Sequence, residues 1–476
     1  MSELPNGWVH TTLDEIGEWR SGGTPSRSRP EYFGPGVPWI KSGDLPDGPI
    51  LETEEQITQA GLDNSAAKLI PPGSVSLALY GATIGKLGLL RFAAATNQAC
   101  ANVTPDSRLV DASYLFYYLL AQRREFIELG QGGAQPNISQ KIVRKHPIPL
   151  APLSEQRRIV AKLDAVLARV RTAQQRLEKV PKILKRFRQS VLDAACSGEL
   201  TADWRLSNPG LHRNEILGKI REYRRRGPMV EIIPKELVPD DVIPRDWEWV
   251  RFGSVIGELR NGISAMPKMH PPGMPILRIS AARPGAVNTE DVRFIEDPAG
   301  FVPHYCLKNG DLLFTRYNGS LELLGVCGVI RGLGRDLLYP DKLMRVRIDH
   351  PFLEPEYVEC FFGSIGAHER VVGKAKSSAG QNGVSGTDIK AQPFALPPVE
   401  EQREIVRRVA AFFAFADGME ARLKRSAVQV DSLTQSILAM AFGGRLVPTE
   451  TELSEEVVPS SNPRWNPTAR CTMDCR

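Results

Sequence analysis

Little in this sequence of 476 residues points to chemistry performed by the chain itself. No stretch approaches the roughly 18 uninterrupted apolar residues of a membrane-spanning helix. The opening MSELPNGWVHTTL lacks the basic cluster and apolar core of an export signal, so a cytoplasmic protein is expected. The seven cysteines (100, 196, 306, 327, 360, 471 and 475) are odd in number and mostly isolated among apolar neighbours, which fits free thiols better than a disulfide framework. Cys471 and Cys475 have helical-turn spacing, but no further Cys or His stands near them to complete the four ligands of a structural zinc site. The histidines are scattered singly, and no metal site is expected. A P-loop needs GxxxxGK[ST], whereas GATIGKL (81–87) has the wrong spacing and ends in Leu. No Asn or Asp precedes a Pro-Pro-aromatic, the pocket signature of base-flipping amino-methyltransferases. Pro71-Pro72 and Pro271-Pro272 both lead to glycine instead. A net charge of +5 permits nucleic-acid binding without demanding it. No catalytic residue and no cofactor bound by this chain is expected.

What the sequence does have is an internal repeat. LPNGW (4–8) returns as IPRDW (243–247), IGEWRSG (16–22) as IGELRNG (256–262), and IPPGSVSLALYG (70–81) as LKNGDLLFTRYN (307–318). PLSEQRRIV (152–160) returns as PVEEQREIV (398–406), and FRQSVLDAACSGEL (187–200) as LTQSILAMAFGGRL (433–446). The order is kept while the offset drifts from 237 to 246, as insertions and deletions in surface loops produce. Residues Pro340, Asp341, Asp388, Ile389 and Lys390 offer a nuclease-like set, but Asp388 and Lys390 correspond to Ile142 and Arg144, so the set is not duplicated.

Each unit has two parts. The first, 1–150 and again 243–396, is rich in Gly and Pro, with period-two apolar runs (Val75, Leu77, Leu79; Leu312, Phe314) and short helical patches such as 114–126 and 357–365. It reads as a mixed α+β domain. The second part, 152–198 and 398–444, is a long helix that starts after Pro152 or Pro398, with Glu155 or Glu401 in its first turn. From Ile159 the stripe continues through Leu163, Val166, Val170, Ala173, Leu177, Val180, Leu184, Phe187 and Val191. Its copy runs through Ile405, Val409, Phe412, Ala416, Met419, Leu423, Ser426, Val430, Leu433 and Ile437. Sustained heptads in the same register favour the two helices packing on each other, each a rod of roughly 60 Å at about 1.5 Å per residue. Pro181 is expected to interrupt and kink the first. A connector (199–242) carries a basic run from Arg221 to Arg226, and 447–476 reads as a disordered tail.

A Pro-Leu-x-Glu-Gln-Arg-x-Ile-Val start to a long heptad helix, repeated behind the second of two non-identical α+β domains with Val399 in place of the Leu, resembles the specificity subunit of type I restriction–modification systems, the HsdS family. The resemblance spans about 1–446. Its most specific motifs are PLSEQRRIVAKLD (152–164) and PPVEEQREIV (397–406), with GGTP (22–25) and GVPWIKSGDL (36–45) in the first domain. The second unit lacks GGTP and has GMPILRISAAR (273–283) in place of the last motif. The resemblance implies two target-recognition domains joined by antiparallel coiled-coil helices. Each domain would read one half of a bipartite double-stranded DNA target. The chain would dock two modification subunits, which methylate adenine with S-adenosylmethionine, and two restriction subunits that use ATP and Mg²⁺. A methylation-only system without a nuclease partner, and a scaffold that does not bind DNA, are the alternatives.

Loops at strand ends are the natural readers. In the first domain the nominated residues are Ser21, Thr24, Lys41, Ser42, Asp44, Tyr80, Thr83, Lys86, Gln135 and Asn137. In the second they are Arg260, Asn261, Arg278, Ser280, Arg283, Arg316, Tyr317, Asn318, Ser320, Gln381 and Asn382. Arg, Lys, Asn and Gln can pair with base edges, while Ser and Thr mostly position phosphates. Tyr80 and Tyr317 match across the repeat, which leaves core and interface roles both open. Gly22, Gly23, Gly81 and Gly319 are expected to serve backbone geometry.

Overall fold

The computed structural model describes residues 4–130, 137–209, 218, 222, 230–234, 238–239, 242–296, 302–349, 351–378 and 380–456. The chain divides into two compact units. One is Met1–Glu178 together with Arg425–Arg476, and the other is Lys179–Lys424. Both boundaries fall inside the long helices, which run over Leu153–Ser197 and Val399–Phe442. Among the described residues no helix is long and apolar enough to cross a membrane, and no cluster of three metal-ligating side chains forms.

In the first unit a five-stranded sheet has the order Gly17–Ser21, Cys100–Pro105, Val75–Ala78, Leu87–Leu90, Gly48–Ile50. The alternation Val75, Leu77 proves to be a fully buried strand rather than a half-buried one, because Ser76 is also covered and donates to Asn102 Oδ1 at 2.6 Å. The second unit repeats the first four positions as Glu258–Asn261, Leu343–Arg347, Leu312–Thr315, Cys327–Val329. Each domain is also closed by a two-stranded antiparallel ladder joining its start to its end: Val9–Thr12 with Pro147–Leu150, and Glu248–Arg251 with Pro393–Leu396.

The domain cores extend onto the long helices. Tyr114, Tyr118, Phe126, Leu77 and Val103 share a cluster with Ile159, Leu163 and Leu167 of the first helix and Leu438 and Ala441 of the second. In the second unit Phe252, Phe314, Phe361, Phe362 and Phe394 pack with Val191, Ala195, Ile405 and Val409. Each of the Val, Leu, Ile and Phe side chains among them contributes about 1.5–3 kcal/mol on burial. The helices run antiparallel within each unit. Gln174 donates to Asp431 at 3.1 Å in the first, and Arg188 donates to Asp417 at 2.8 Å in the second.

The seam is more uneven than the heptads predict. Ile159, Leu163, Leu184, Ile405 and Val409 are buried, but Val166, Val170, Leu177, Leu423, Val430 and Ile437 are only half-buried. Ile437 still packs against the core of the first unit; a seam residue that meets only the other helix is covered from one side. Phe412 is 40% exposed and Leu433 49% exposed, contrary to expectation. A 3.6-residue turn drifts off a 3.5-residue pattern, so Phe413 packs against the core of the second unit, while Leu438 and Ala441 join that of the first. Phe412 meets Phe187 edge-on, with ring centroids 6.0 Å apart. The first helix continues through Pro181, which is exposed, so the expected interruption is absent. A proline inside a helix forfeits one backbone hydrogen bond, and the turns on either side carry the helix across it. The tail expected from 447 is ordered at its beginning: Thr449 is buried, and Glu450–Glu456 is helical. Residues 457–476, with Cys471 and Cys475, lie outside the described residues, as do Gln135 and most of the basic run at 221–226.

Candidate nucleic-acid interface

None of the nominated residues within the described part lies in the core; all are half-buried or exposed. That settles the two matched tyrosines as surface groups. Tyr80 is 43% exposed and forms an isolated antiparallel bridge with Asn137. Tyr317 begins a small sheet, Tyr317–Asn318 with Gln381–Gly383 and then Lys376–Ser378. The structure therefore gathers Tyr80 with Asn137, and Tyr317 with Asn318, Gln381 and Asn382, at equivalent places in the two domains. Gly383 permits the second assembly, because a Cβ there would sit 2.5 Å from the Tyr317 ring.

The second cluster is strongly cationic. The Arg316 guanidinium lies 4.7 Å from the Tyr317 ring centroid and Lys342 Nζ lies 4.9 Å from it. Arg316 Nε is buried without a hydrogen-bond partner. Asn318 and Asn382 are set by local bonds: Ser320 N donates to Asn318 Oδ1, and Ser377 Oγ donates to Asn382 Oδ1. Exposed amides are able to pair with base edges, and cations beside them to hold phosphates.

Other nominated groups are committed within the protein. Lys41 Nζ is 2.7 Å from Glu55 and 3.9 Å from Asp44. Hydrogen bonding to Glu55 raises the Lys41 pKa. Lys86 donates to the Gly43 carbonyl at 3.2 Å, which ties the loop of Ser42 and Asp44 to the Thr83 turn. Thr83 itself donates to the Tyr80 carbonyl, Ser21 donates to Gln140, and Thr24 donates to Gln98. Arg278 and Ser280 both bond Asp291, Arg283 donates to the Ala282 carbonyl, and Arg260 pairs with Glu258 at 2.7 Å. Asn261 ends its strand exposed, next to Gly262. Gly22 has the expected backbone role, since a Cβ there would meet the Asn97 carbonyl at 1.9 Å, whereas Gly319 faces open space. Asp388 is a capping residue, accepting from Ser385 N and Oγ, which accounts for it without nuclease chemistry.

Sequence reasoning missed Arg27, Arg29 and Lys342. It also missed the purpose of the repeated Glu-Gln pair. Glu155, taken as a helix-start acid, is fully buried and accepts from Trp8 Nε1 at 2.9 Å and from the Glu450 backbone N at 3.1 Å. Glu401 accepts from Trp247 Nε1 at 2.8 Å, from Thr201 Oγ1 at 2.7 Å and from Arg205. Gln156 accepts from Asp111 N and donates to the Leu109 and Ala151 carbonyls. Gln402 likewise accepts from Glu354 N and donates to the Phe352 and Pro397 carbonyls. The motif is a clamp: Gln fastens the helix start to its own domain, and Glu binds that domain's first Trp and the segment following the other helix. The recurrence of Trp8 as Trp247 in the repeat was the signal that could have revealed it.

Two α+β domains, each clamped to a pair of antiparallel helices and each presenting a tyrosine–amide cluster, define a duplicated two-domain protein built on paired long helices. A profile of the type I restriction modification DNA specificity domain matches residues 5–182. The chain is 35% identical over 457 residues to the type I restriction enzyme EcoKI specificity subunit of Escherichia coli K12, covering 93% of this chain and 90% of that one. It is 28% identical over 452 residues to the StySPI specificity subunit of Salmonella potsdam, with the same coverage of each chain. In fold it is similar to the HsdS subunit from Thermoanaerobacter tengcongensis, with a TM-score of 0.53, 19% identity and coverage of 93% and 98%. A chain from a structural study of assembly and conformational transition in the type I R-M system gives a TM-score of 0.66 at 18% identity, with coverage of 94% and 100%. The chain belongs to the specificity subunits of type I restriction enzymes. It is a non-catalytic subunit that recognises DNA targets within a restriction–modification complex.

Proposed function

We propose that the two domains read the two halves of a bipartite double-stranded DNA target, one half each, and that the paired helices dock two modification and two restriction subunits. The observation that carries this is the duplication of the site with changed content. The same sheet positions present Tyr80 with Asn137 in one domain, and Tyr317 with Asn318, Gln381 and Asn382 in the other. Equivalent frames with different base-facing groups suit two different half-sites. Of the nominated residues, Arg316, Tyr317, Asn318, Gln381 and Asn382 serve the second half-site, and Tyr80 and Asn137 the first. S-adenosylmethionine, ATP and Mg²⁺ act on the partner subunits, none being bound by this chain, and the complex works in the cytoplasm.

The test is a domain exchange. Residues 1–150 are replaced by the corresponding domain of a relative, and the methylated motif is read by methylation-sensitive sequencing of a host carrying the modification subunits. One half of the motif should change, while the other half and the spacing persist. A swap that alters both halves would refute the division of labour.

A further inference from the structure

In both domains a loop leaves the strand that starts at Gly17 or Glu258 and returns in the strand that starts at Phe33 or Met274. The two loops are pinned by the same device, a cation bound to a glutamate on or beside the strand that pairs with the returning one. Arg27 reaches Glu55 at 2.9 Å, and Lys268 reaches Glu296 at 2.7 Å. What they present differs. In the first domain the Arg27 guanidinium lies 4.4 Å from the Phe33 ring centroid and 5.3 Å from that of Trp39, and Arg29 lies 5.6 Å from that of Tyr32, so cations overlie the aromatic rings. In the second, Met266 is 99% exposed and Met269 is 62% exposed. This loop is nevertheless held in place, because Lys268 and Phe294 exchange backbone hydrogen bonds of 2.8 and 3.0 Å.

Two uncovered methionines close together on a fastened loop leave apolar area whose burial a partner surface would gain from, and point to a surface that covers them. The root of the loop indicates which. Ile263 accepts from Asp341 N at 2.9 Å, and Lys342, the next residue, lies over Tyr317 beside Arg316. The loop that carries the methionines is thus rooted, through Ile263, beside the chain neighbour of Lys342 in the cationic cluster assigned to DNA. We propose that Met266, with Met269, enters a DNA groove and makes apolar contact with base atoms of the half-site read by the second domain. The equivalent loop of the first domain uses Arg27 and Arg29 instead. Apolar side chains serve DNA-binding proteins in this way, against thymine methyl groups or as wedges at base steps. The inference rests on the DNA-binding reading of the Tyr317 cluster.

The test uses the full chain assembled with its modification subunits, and a duplex carrying the motif that the complex methylates. Met266→Ala with Met269→Ala should weaken specific binding roughly tenfold, as expected for one buried apolar side chain. Affinity for an unrelated duplex should not change, nor should the salt dependence, because no phosphate contact is lost. Relaxed methylation should appear at one position of the second half-site only. Unchanged affinity and motif would overturn the proposal. So would loss of assembly with the modification subunits, which would make the loop a protein contact. Arg316→Ala with Lys342→Ala separates the two levels. If this variant flattens the salt dependence while the methionine variant is neutral, only the loop assignment fails. If neither variant alters DNA binding, the reading of the whole surface fails with it.

Discussion

Glu155 and Glu401 occupy the same place in the repeat, yet their surroundings differ in charge. Glu401 faces Arg205 as well as Trp247 and Thr201, whereas Glu155 is met by two neutral N–H donors, from Trp8 and the Glu450 backbone. Removing one partner of a covered ion pair costs about 3–5 kcal/mol, and losing hydrogen bonds to a buried acceptor about 1–3 kcal/mol. Glu401→Ala should therefore lower the unfolding free energy of its unit more than Glu155→Ala does, by about 2 kcal/mol. Denaturant titration of the two variants checks the order, and equal losses would remove the charge argument. A second residue makes the protein acid-sensitive. Burial lowers the His146 pKa below the ordinary 6.5, against the pull of Glu125, and the ring lies 5.1 Å from Phe126. The folded state thus favours neutral imidazole, and the unfolded chain takes up the proton first as pH falls. Stability from this group is fully present above pH 6.5 and declines below it. His146→Phe should flatten the dependence of Tm on pH below about 6.5, and an unchanged slope would show that other groups govern it.

At the scale of elements, the long helices are not uniform coiled coils. Leu163 is fully buried in a cluster with Tyr114 and Tyr118, whereas Leu423 is only half-buried. Leu163→Asp places a charge in a domain core and should cost several kcal/mol, unfolding the first unit. Leu423→Asp meets water on one side and should cost about 1–2 kcal/mol, sparing both domain cores while weakening the helix pair. Thermal melts with a fluorescence probe of each unit would distinguish the two, and similar damage from both would mean that the seam is equally buried throughout. Heptad spacing made the pairing legible. It could not show which seam residues a domain also covers, because that depends on which core each turn of the helix meets.

For the whole molecule, each unit is built from chain segments on both sides of the repeat. The first domain packs on the beginning of one helix and the end of the other, and its buried Glu155 is satisfied by residue 450. In the second unit Glu401 is satisfied by Thr201 and Arg205, which follow the first helix. A fragment of residues 1–208 retains one domain, one full helix and that following segment. Two copies can then clamp each other reciprocally, with Thr201 and Arg205 of one copy beside Glu155 of the other. The fragment should form a two-fold dimer in solution. With modification subunits it should methylate an interrupted palindrome built from the first half-site. A monomer by sedimentation, or a non-palindromic motif, would contradict the equivalence of the halves.

The sequence by itself determined the duplication, the α+β character of each domain, the two long helices and the family, since all of these are written in local pattern and in order along the chain. It also nominated Tyr80, Asn137, Tyr317, Asn318, Gln381 and Asn382, which the fold brings into two equivalent clusters. Tertiary structure alone decided that Lys41 is engaged by Glu55 while Arg316 Nε remains without a hydrogen-bond partner. It decided that Glu155, an acid at a helix start, is an internal acceptor, and that Met266 stands uncovered. The physical reason is common to these cases. Whether a charge is paired or an apolar side chain is covered depends on neighbours tens to hundreds of residues away, which spacing along one strand or helix does not encode.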